Sequence, residues 1–310
     1  MGGQLEGLTV APAQQVMGAT IETESFIGKE DRLDAAAAAA ARGGVLPDEI
    51  LFDDPSGKYE LRFRGAFPAV QARVSYEDRV VAEGGSMLTA SEDVDVFPSL
   101  GGGGVTQACC RSCCLDETFF FSTYKGKTPG GPASNVLLAP SLPGEIALLT
   151  VDETRKWRIG RGGFFAADDT VDLKVVRQTI AQGCCSGEGL FVMKARGHGR
   201  LLVNSYGGLV LYRLQDGDER VVENGQLVAW SANTPYKIVW TSRRGVVASC
   251  LSGQRLACKF EAPTDGSPGY VLASTHSVER LAAEMVPFLP KGAPDSNTTG
   301  GGGDNGGGGF

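Results

Sequence analysis

Between positions 58 and 291 the chain repeats one texture: short apolar or alternating runs, each closed by glycine, proline, asparagine or aspartate. The runs 59–63, 136–138, 146–151, 171–176, 190–194, 201–203, 209–214, 227–230 and 236–241 are too short for helices and are bounded by turn residues. They predict strands, and together an all-β body. Helical periodicity holds in one place. Val278, Leu281, Ala282 and Met285 fall on one face, Ser277 stands where a cap is needed, and Pro287 ends the run, which predicts a short C-terminal helix.

An internal repeat organises the strands. The segments GSMLTASEDVDV from Gly85, GFFAADDTVDLKV from Gly163 and GQLVAWSANTPYKI from Gly225 share a glycine, an apolar strand, a polar turn and a second strand. Each is followed by a cysteine (Cys109, Cys184, Cys250), a small or polar turn and another strand. These later blocks read CCLDETFFFSTYKG from Cys113, CCSGEGLFVMKARG from Cys184 and CLSGQRLACKF from Cys250. A further apolar strand closes each unit, in NVLLAPS from Asn135, RLLVNSY from Arg200 and GYVLAST from Gly269. Three units in one order predict a pseudo-threefold body, because one four- or five-stranded unit buries too little apolar surface alone. The expected organisation is an N-terminal extension over 1–57, partly disordered and Ala-rich through Ala35 to Ala41, a three-repeat β domain over 58–291, and a Gly-rich disordered tail over 292–310.

Composition narrows the function classes. Lysine and arginine number 29 against 36 acids, a net charge of −7, so a polyanion is not expected as the main partner. Residues 1–34 lack the basic start and apolar core of a secretory signal, and the acids there disfavour a transit peptide. The uncharged stretch 128–144 is broken by Pro129, Pro132, Pro140 and Pro143, so no spanning helix is expected. A cytoplasmic protein is the expectation.

The cysteines are the sharpest chemical cue. Cys109, Cys110, Cys113 and Cys114 interleave C-x-x-C spacings, and Cys184 and Cys185 hold the matching place in the next repeat, so a thiolate cluster for zinc is one reading. Adjacent cysteines on a strand point to opposite faces, and cysteine is a commonly buried small hydrophobe, so packing or free thiols is the preferred reading and no metal is expected. Enzyme signatures fail in turn. A cupin centre needs about three histidines and a carboxylate, whereas the chain has only His198, in a glycine-flanked turn, and His276, ahead of the helix. The glycine-rich segment from Gly183 lacks the Gly-Lys-Ser/Thr ending of a phosphate loop and leads into a strand. Glu117 and Glu188, with Gln254 in the third copy, occupy matching turns and suit hydrogen bonding to turn amides. Lys237, Trp240, Arg243 and Arg244 form the best basic-aromatic group for stacking RNA, against an unfavourable net charge. No catalytic residue and no cofactor is expected, and the chain is not read as an enzyme.

The blocks YELRFRGAFPAVQARVSYEDRVVAEGGSM from Tyr59, LVNSYGGLVLYRLQDGDERVVENGQLVAW from Leu202, CCSGEGLF from Cys184 and LASTHSVERLAAEMVPFLPKG from Leu272 resemble the proteins named for altered inheritance of mitochondria, number twenty-four. The resemblance spans 58–291. It implies a β-sandwich body of internal repeats, grouped with the tryptophan RNA-binding attenuation protein fold. Bacterial members have no settled activity, and the fungal member is a mitochondrial inner-membrane protein linked to cristae and respiratory complexes. Gln226 stands where many relatives carry histidine. The resemblance therefore implies a non-catalytic scaffold or assembly protein that associates with itself, with protein partners or peripherally with a membrane, and it makes the mitochondrion the alternative compartment. The competing function is a small-ligand or RNA binding module in clefts between repeats.

Overall fold

The computed structural model describes residues 50–51, 54–63, 67–99, 121–178, 190–240, 256–285 and 288. Two strands lead in, β1 (Ile50–Leu51) and β2 (Tyr59–Arg62). The first repeat then supplies β3 (Ala69–Val74), β4 (Val80–Glu83), β5 (Met87–Ala90), β6 (Val94–Ser99), β7 (Phe121–Gly126) and β8 (Ser134–Leu138). The second supplies β9 (Ile146–Val151), β10 (Trp157–Ile159), β11 (Phe164–Asp168), β12 (Val171–Gln178), β13 (Leu190–Gly197) and β14 (Gly199–Asn204). The third supplies β15 (Leu209–Leu214), β16 (Glu219–Glu223), β17 (Leu227–Ser231), β18 (Tyr236–Trp240), β19 (Leu256–Glu261) and β20 (Gly269–Ser274). The body is all-β, as its sequence texture predicts.

Within every repeat the pairing is the same and antiparallel. The sixth strand lies between the first and third, as β8 with β3 and β5, β14 with β9 and β11, and β20 with β15 and β17. The fifth lies between the second and fourth, as β7 with β4 and β6, β13 with β10 and β12, and β19 with β16 and β18. Even the irregularity recurs: the third strand shifts register between Met87 and Thr89, between Phe164 and Ala166, and between Leu227 and Ala229. One bulge at one place in three units shows that the repeat extends to single residues. The first two strands of each unit, such as β3 with β4, were not part of the sequence repeat, and each unit has six strands among the described residues.

Consecutive repeats join by continuing a hydrogen-bonded ladder. β11 pairs with β4, and β17 pairs with β10. The result is a four-stranded sheet β2-β3-β8-β5, a seven-stranded sheet β1-β9-β14-β11-β4-β7-β6, a six-stranded sheet β12-β13-β10-β17-β20-β15 and a three-stranded sheet β16-β19-β18. Where a closed threefold body would pair the third repeat with the first, no described strands do so; the units are joined in a row.

Three apolar clusters lie between successive sheets, and strand composition follows from this layering. In β3, Val70, Ala72 and Val74 are buried while Arg73 is exposed, the alternation of an outer sheet. In β9, Ala147 and Leu149 enter one cluster and Ile146 and Leu148 the neighbouring one. A strand buried on both faces is apolar wherever it is buried, which is why 146–151 reads IALLTV, with Thr150 its one half-buried position. Repeat-marking Gly163 is fixed by close approach, since a Cβ there would stand 2.6 Å from the Val228 carbonyl oxygen.

The helix α1 (Val278–Met285) begins directly after Ser277 and forms a unit of its own. Val278, Leu281 and Met285 lie along one face and are exposed. Among the described residues no helix is long and apolar enough to cross a membrane.

Candidate functional site

Most of the residues singled out by sequence lie outside the described residues: Cys109, Cys110, Cys113, Cys114, Cys184, Cys185 and Cys250, with Glu117, Glu188, Gln254, Arg243 and Arg244. Cys258 is described and buried in β19, where burial pushes its thiol up to about 12. That thiol stays protonated and packs as an apolar residue. His198 is exposed in the turn between β13 and β14, and its carbonyl accepts the Thr170 hydroxyl at 2.5 Å. The His276 Nδ1 lies 2.9 Å from the Thr275 hydroxyl, and its ring meets Tyr206 edge-on at 5.6 Å. Gln226 sits in the 3-10 turn Asn224–Gln226, where its carbonyl accepts the Ser274 hydroxyl at 3.3 Å. The Lys237 ammonium is paired with Glu261 at 3.0 Å, which offsets the cation of the basic-aromatic group.

Among the described residues, a polar cluster stands out that no sequence motif announces. Asp54, ahead of β2, accepts the backbone N–H groups of Ser56, Lys58 and Tyr59, each at 3.1 Å, and its Oδ1 faces Arg200 Nε at 3.3 Å. Asp168, the last residue of β11, accepts the Tyr59 hydroxyl at 2.7 Å and the Arg200 backbone N–H at 2.7 Å, and pairs with Lys58 Nζ at 2.6 Å. Lys58 also reaches Asp78, and the Arg200 guanidinium donates to the Thr150 hydroxyl. Five segments far apart in sequence are thereby tied together. Each carboxylate accepts several donors, so the cluster acts as a clamp on the backbone, not as a poised acid or base. Among the described residues no group of three or more His, Cys, Asp and Glu is placed to hold a metal.

The local electrostatics follow from these partners. Burial by itself raises the Asp54 carboxyl, but the bonds from Ser56 and Tyr59 and the charge of Arg200 outweigh it and hold the group below its ordinary value of 3.8. The Tyr59 phenol is pushed well above 10 by burial and then by Asp168, so it remains a donor at all working pH. Because Asp54 is depressed in the folded chain, its contribution is complete above the ordinary carboxylate value and is lost as pH falls through the depressed one. Asp54→Asn is expected to cost about 1–3 kcal/mol at pH 7. The difference between the two proteins should shrink below pH ~4, read by urea denaturation at pH 7 and pH 3.

A groove of about 220 Å³ lies at the junction of the first two repeats, lined among others by Arg79, Val81, Phe97, Thr123, Asp169 and Leu173. Burial raises the Asp169 carboxyl above its ordinary value despite Arg79, whose Nε stands 3.9 Å away.

Residues 59–265, which run from β2 to just past β19 of the third repeat, match the profile of the family described as mitochondrial biogenesis AIM24. The chain belongs to this family. A Streptococcus pyogenes serotype M6 protein, itself described as uncharacterised, is 29% identical over 230 residues, covering 72% of this chain and 88% of its own. A crystal structure of a Streptococcus pyogenes protein superposes with a TM-score of 0.59 at 28% identity, over 74% of this chain and 99% of that one. The Asp54, Lys58, Asp168 and Arg200 clamp escaped sequence reading because its members are isolated charges at turn and strand ends, with no common spacing.

Proposed function

We propose that this AIM24-family protein is a non-catalytic β scaffold, an assembly protein that associates with itself and with protein partners and supports membrane-associated complexes. One observation carries the reading: its repeats are joined by strand ladders, β11 on β4 and β17 on β10, so the fold is already built by adding unit to unit at sheet edges. The clamp favours the same reading, since its ionic groups are engaged in holding segments together. Sedimentation velocity with native mass spectrometry of the purified protein tests it. The expected result is a species larger than the monomer with no bound metal or ligand; a monomer that retains stoichiometric zinc or nucleotide would overturn it. A cytoplasmic location goes with this proposal, and imaging of a C-terminally tagged chain checks it, with a mitochondrial signal as the contrary outcome.

The groove at the first repeat junction favours a second reading, a module that binds a small ligand between repeats. It lies between two repeats, and the Asp169 carboxyl group beside the Arg79 guanidinium puts an acid and a cation in one place. Ligand recovered with the native protein and lost on Asp169→Ala would support it.

A further inference from the structure

Among the described residues, two strand edges lack the repeat-to-repeat neighbour that their counterparts have. The third strand of the second repeat pairs with the second strand of the first, Ala166 opposite Ala82, Ala167 opposite Val81 and Asp168 opposite Val80. The third repeat meets the second in the same register, Ala229 opposite Ile159, Trp230 opposite Arg158 and Ser231 opposite Trp157. The remaining third strand is β5 and the remaining second strand is β16. Among the described residues no strand pairs with the outer edge of either.

Exposure records the missing neighbour. Phe164 and Leu227 are 1% and 3% exposed, whereas Met87, which holds their place at the bulge, is 45% exposed. Ala166, Ala167, Ala229 and Trp230 are fully buried, yet their counterparts Thr89 and Ala90 are exposed. On the other edge Trp157 is buried and its counterpart Arg220 is exposed, with Val221 beside it at 53%.

The repeat also fixes how the two edges would meet. Trp157 and Leu173 both pair with Ala195, and Arg220 and Tyr236 both pair with Phe260, so Arg220 is the counterpart of Trp157 and Val222 that of Ile159. The bulge makes Thr89 the counterpart of Ala166 and Ala229. We infer that β5 of one copy pairs antiparallel with β16 of a second copy, with Thr89 opposite Val222, Ala90 opposite Val221 and Ser91 opposite Arg220. The contact continues the junction used twice inside the chain. It rests on the scaffold reading and names the surface that the reading needs. Such a contact is head-to-tail, so it leaves one edge of each kind open and propagates into a ring or a filament.

The experiment uses one block on each edge. Ala90→Pro removes a ladder donor from β5 and Val221→Pro removes one from β16; Ala90→Lys and Val221→Lys form a second pair that places a charge in the contact and spares the backbone. Sedimentation velocity should find the unaltered protein assembling as concentration rises, and each variant alone monomeric. An equal mixture of a β5 variant and a β16 variant should recover one contact and give a species of doubled mass and nothing larger. Circular dichroism confirms that each variant keeps its strands, and the lysine pair serves if a proline variant does not. Single variants that assemble as the unaltered protein does would overturn this edge pairing and leave the scaffold reading standing. A mixture that stays monomeric, or grows beyond the dimer, would overturn the head-to-tail contact. An unaltered protein that is monomeric at every concentration would overturn both.

Discussion

Gly144→Ala should destabilise the body by about 3–5 kcal/mol, among the largest effects available to the exchange of one hydrogen atom for a methyl group. A Cβ at this position would stand 1.8 Å from the Ser205 carbonyl oxygen and 2.7 Å from its carbon. Both are backbone atoms, so no side-chain rotation relieves the overlap. Nor is the backbone free to retreat. Gly144 forms a parallel bridge with Gly207; the Ser205 N–H donates to the Glu145 carbonyl at 2.9 Å, and the Gly207 N–H donates to the Pro143 carbonyl at 2.9 Å. The Ser205 hydroxyl bridges the same segments, accepting the Glu145 N–H at 3.1 Å and donating to the Gly207 carbonyl at 2.8 Å. The connection into the second repeat is thus knotted to the connection into the third, and separating them loosens the join of two units. Gly208→Ala is the contrasting case, since its Cβ would approach only the Thr275 side chain, at 3.3 Å from the methyl and 3.6 Å from the hydroxyl, and a loss below about 1 kcal/mol is expected. Urea unfolding of the two variants beside the parent measures both values.

Trp230→Ala is the second large effect, with a loss of about 3–5 kcal/mol. The indole is fully buried in the third repeat, edge-on to Tyr236 at 5.1 Å and to Phe260 at 5.7 Å. Those rings come from β18 and β19, so the side chain joins the six-stranded sheet to the three-stranded one. Truncation leaves a cavity that rigid strands cannot collapse around. The shape of the series is more informative than the single value. Trp230 Nε1 is buried without a hydrogen-bond partner among the described residues, an unfavourable desolvation that phenylalanine removes. Trp230→Phe should therefore keep much of the ring contact and lose only about 1–2 kcal/mol. Trp157, whose Nε1 donates to the Thr150 carbonyl at 2.9 Å, has no such relief, and Trp157→Phe should cost more than Trp230→Phe by the worth of that bond. Thermal unfolding of the four proteins orders them.

Local pattern made strand type and order legible, because alternation and apolar runs report what each face of a strand touches. The run 146–151 is continuous since β9 is buried on both sides, and the stretch that becomes α1 carries a 3.6-residue period that no strand would keep. The glycine-led blocks at Gly85, Gly163 and Gly225 marked the three units because a bulged strand and a tight turn recur there in the same register. The lead strands of each unit were less legible as repeats: VVAE, WRI and ERVVE share no side-chain pattern, only a place beside the fifth strand. The clamp was not legible at all. Asp54, Asp168 and Arg200 meet across more than a hundred positions of chain, and Asp168 looks in sequence like one more turn carboxylate.

What the sequence determined alone is the material of the protein: an all-β body of three like units, a short amphipathic helix, and an acidic charge that disfavours polyanions, since these depend on local period and composition. What the tertiary structure decided is adjacency. Only the paired strands reveal that unit joins unit through β11 on β4 and β17 on β10, that a partly buried ionic clamp holds the lead-in to the second repeat, and that β5 and β16 stand at sheet edges among the described residues. The reason is physical: hydrogen bonding between strands is made by backbone groups that every residue carries, so side-chain pattern selects a strand but does not say which strand will lie beside it.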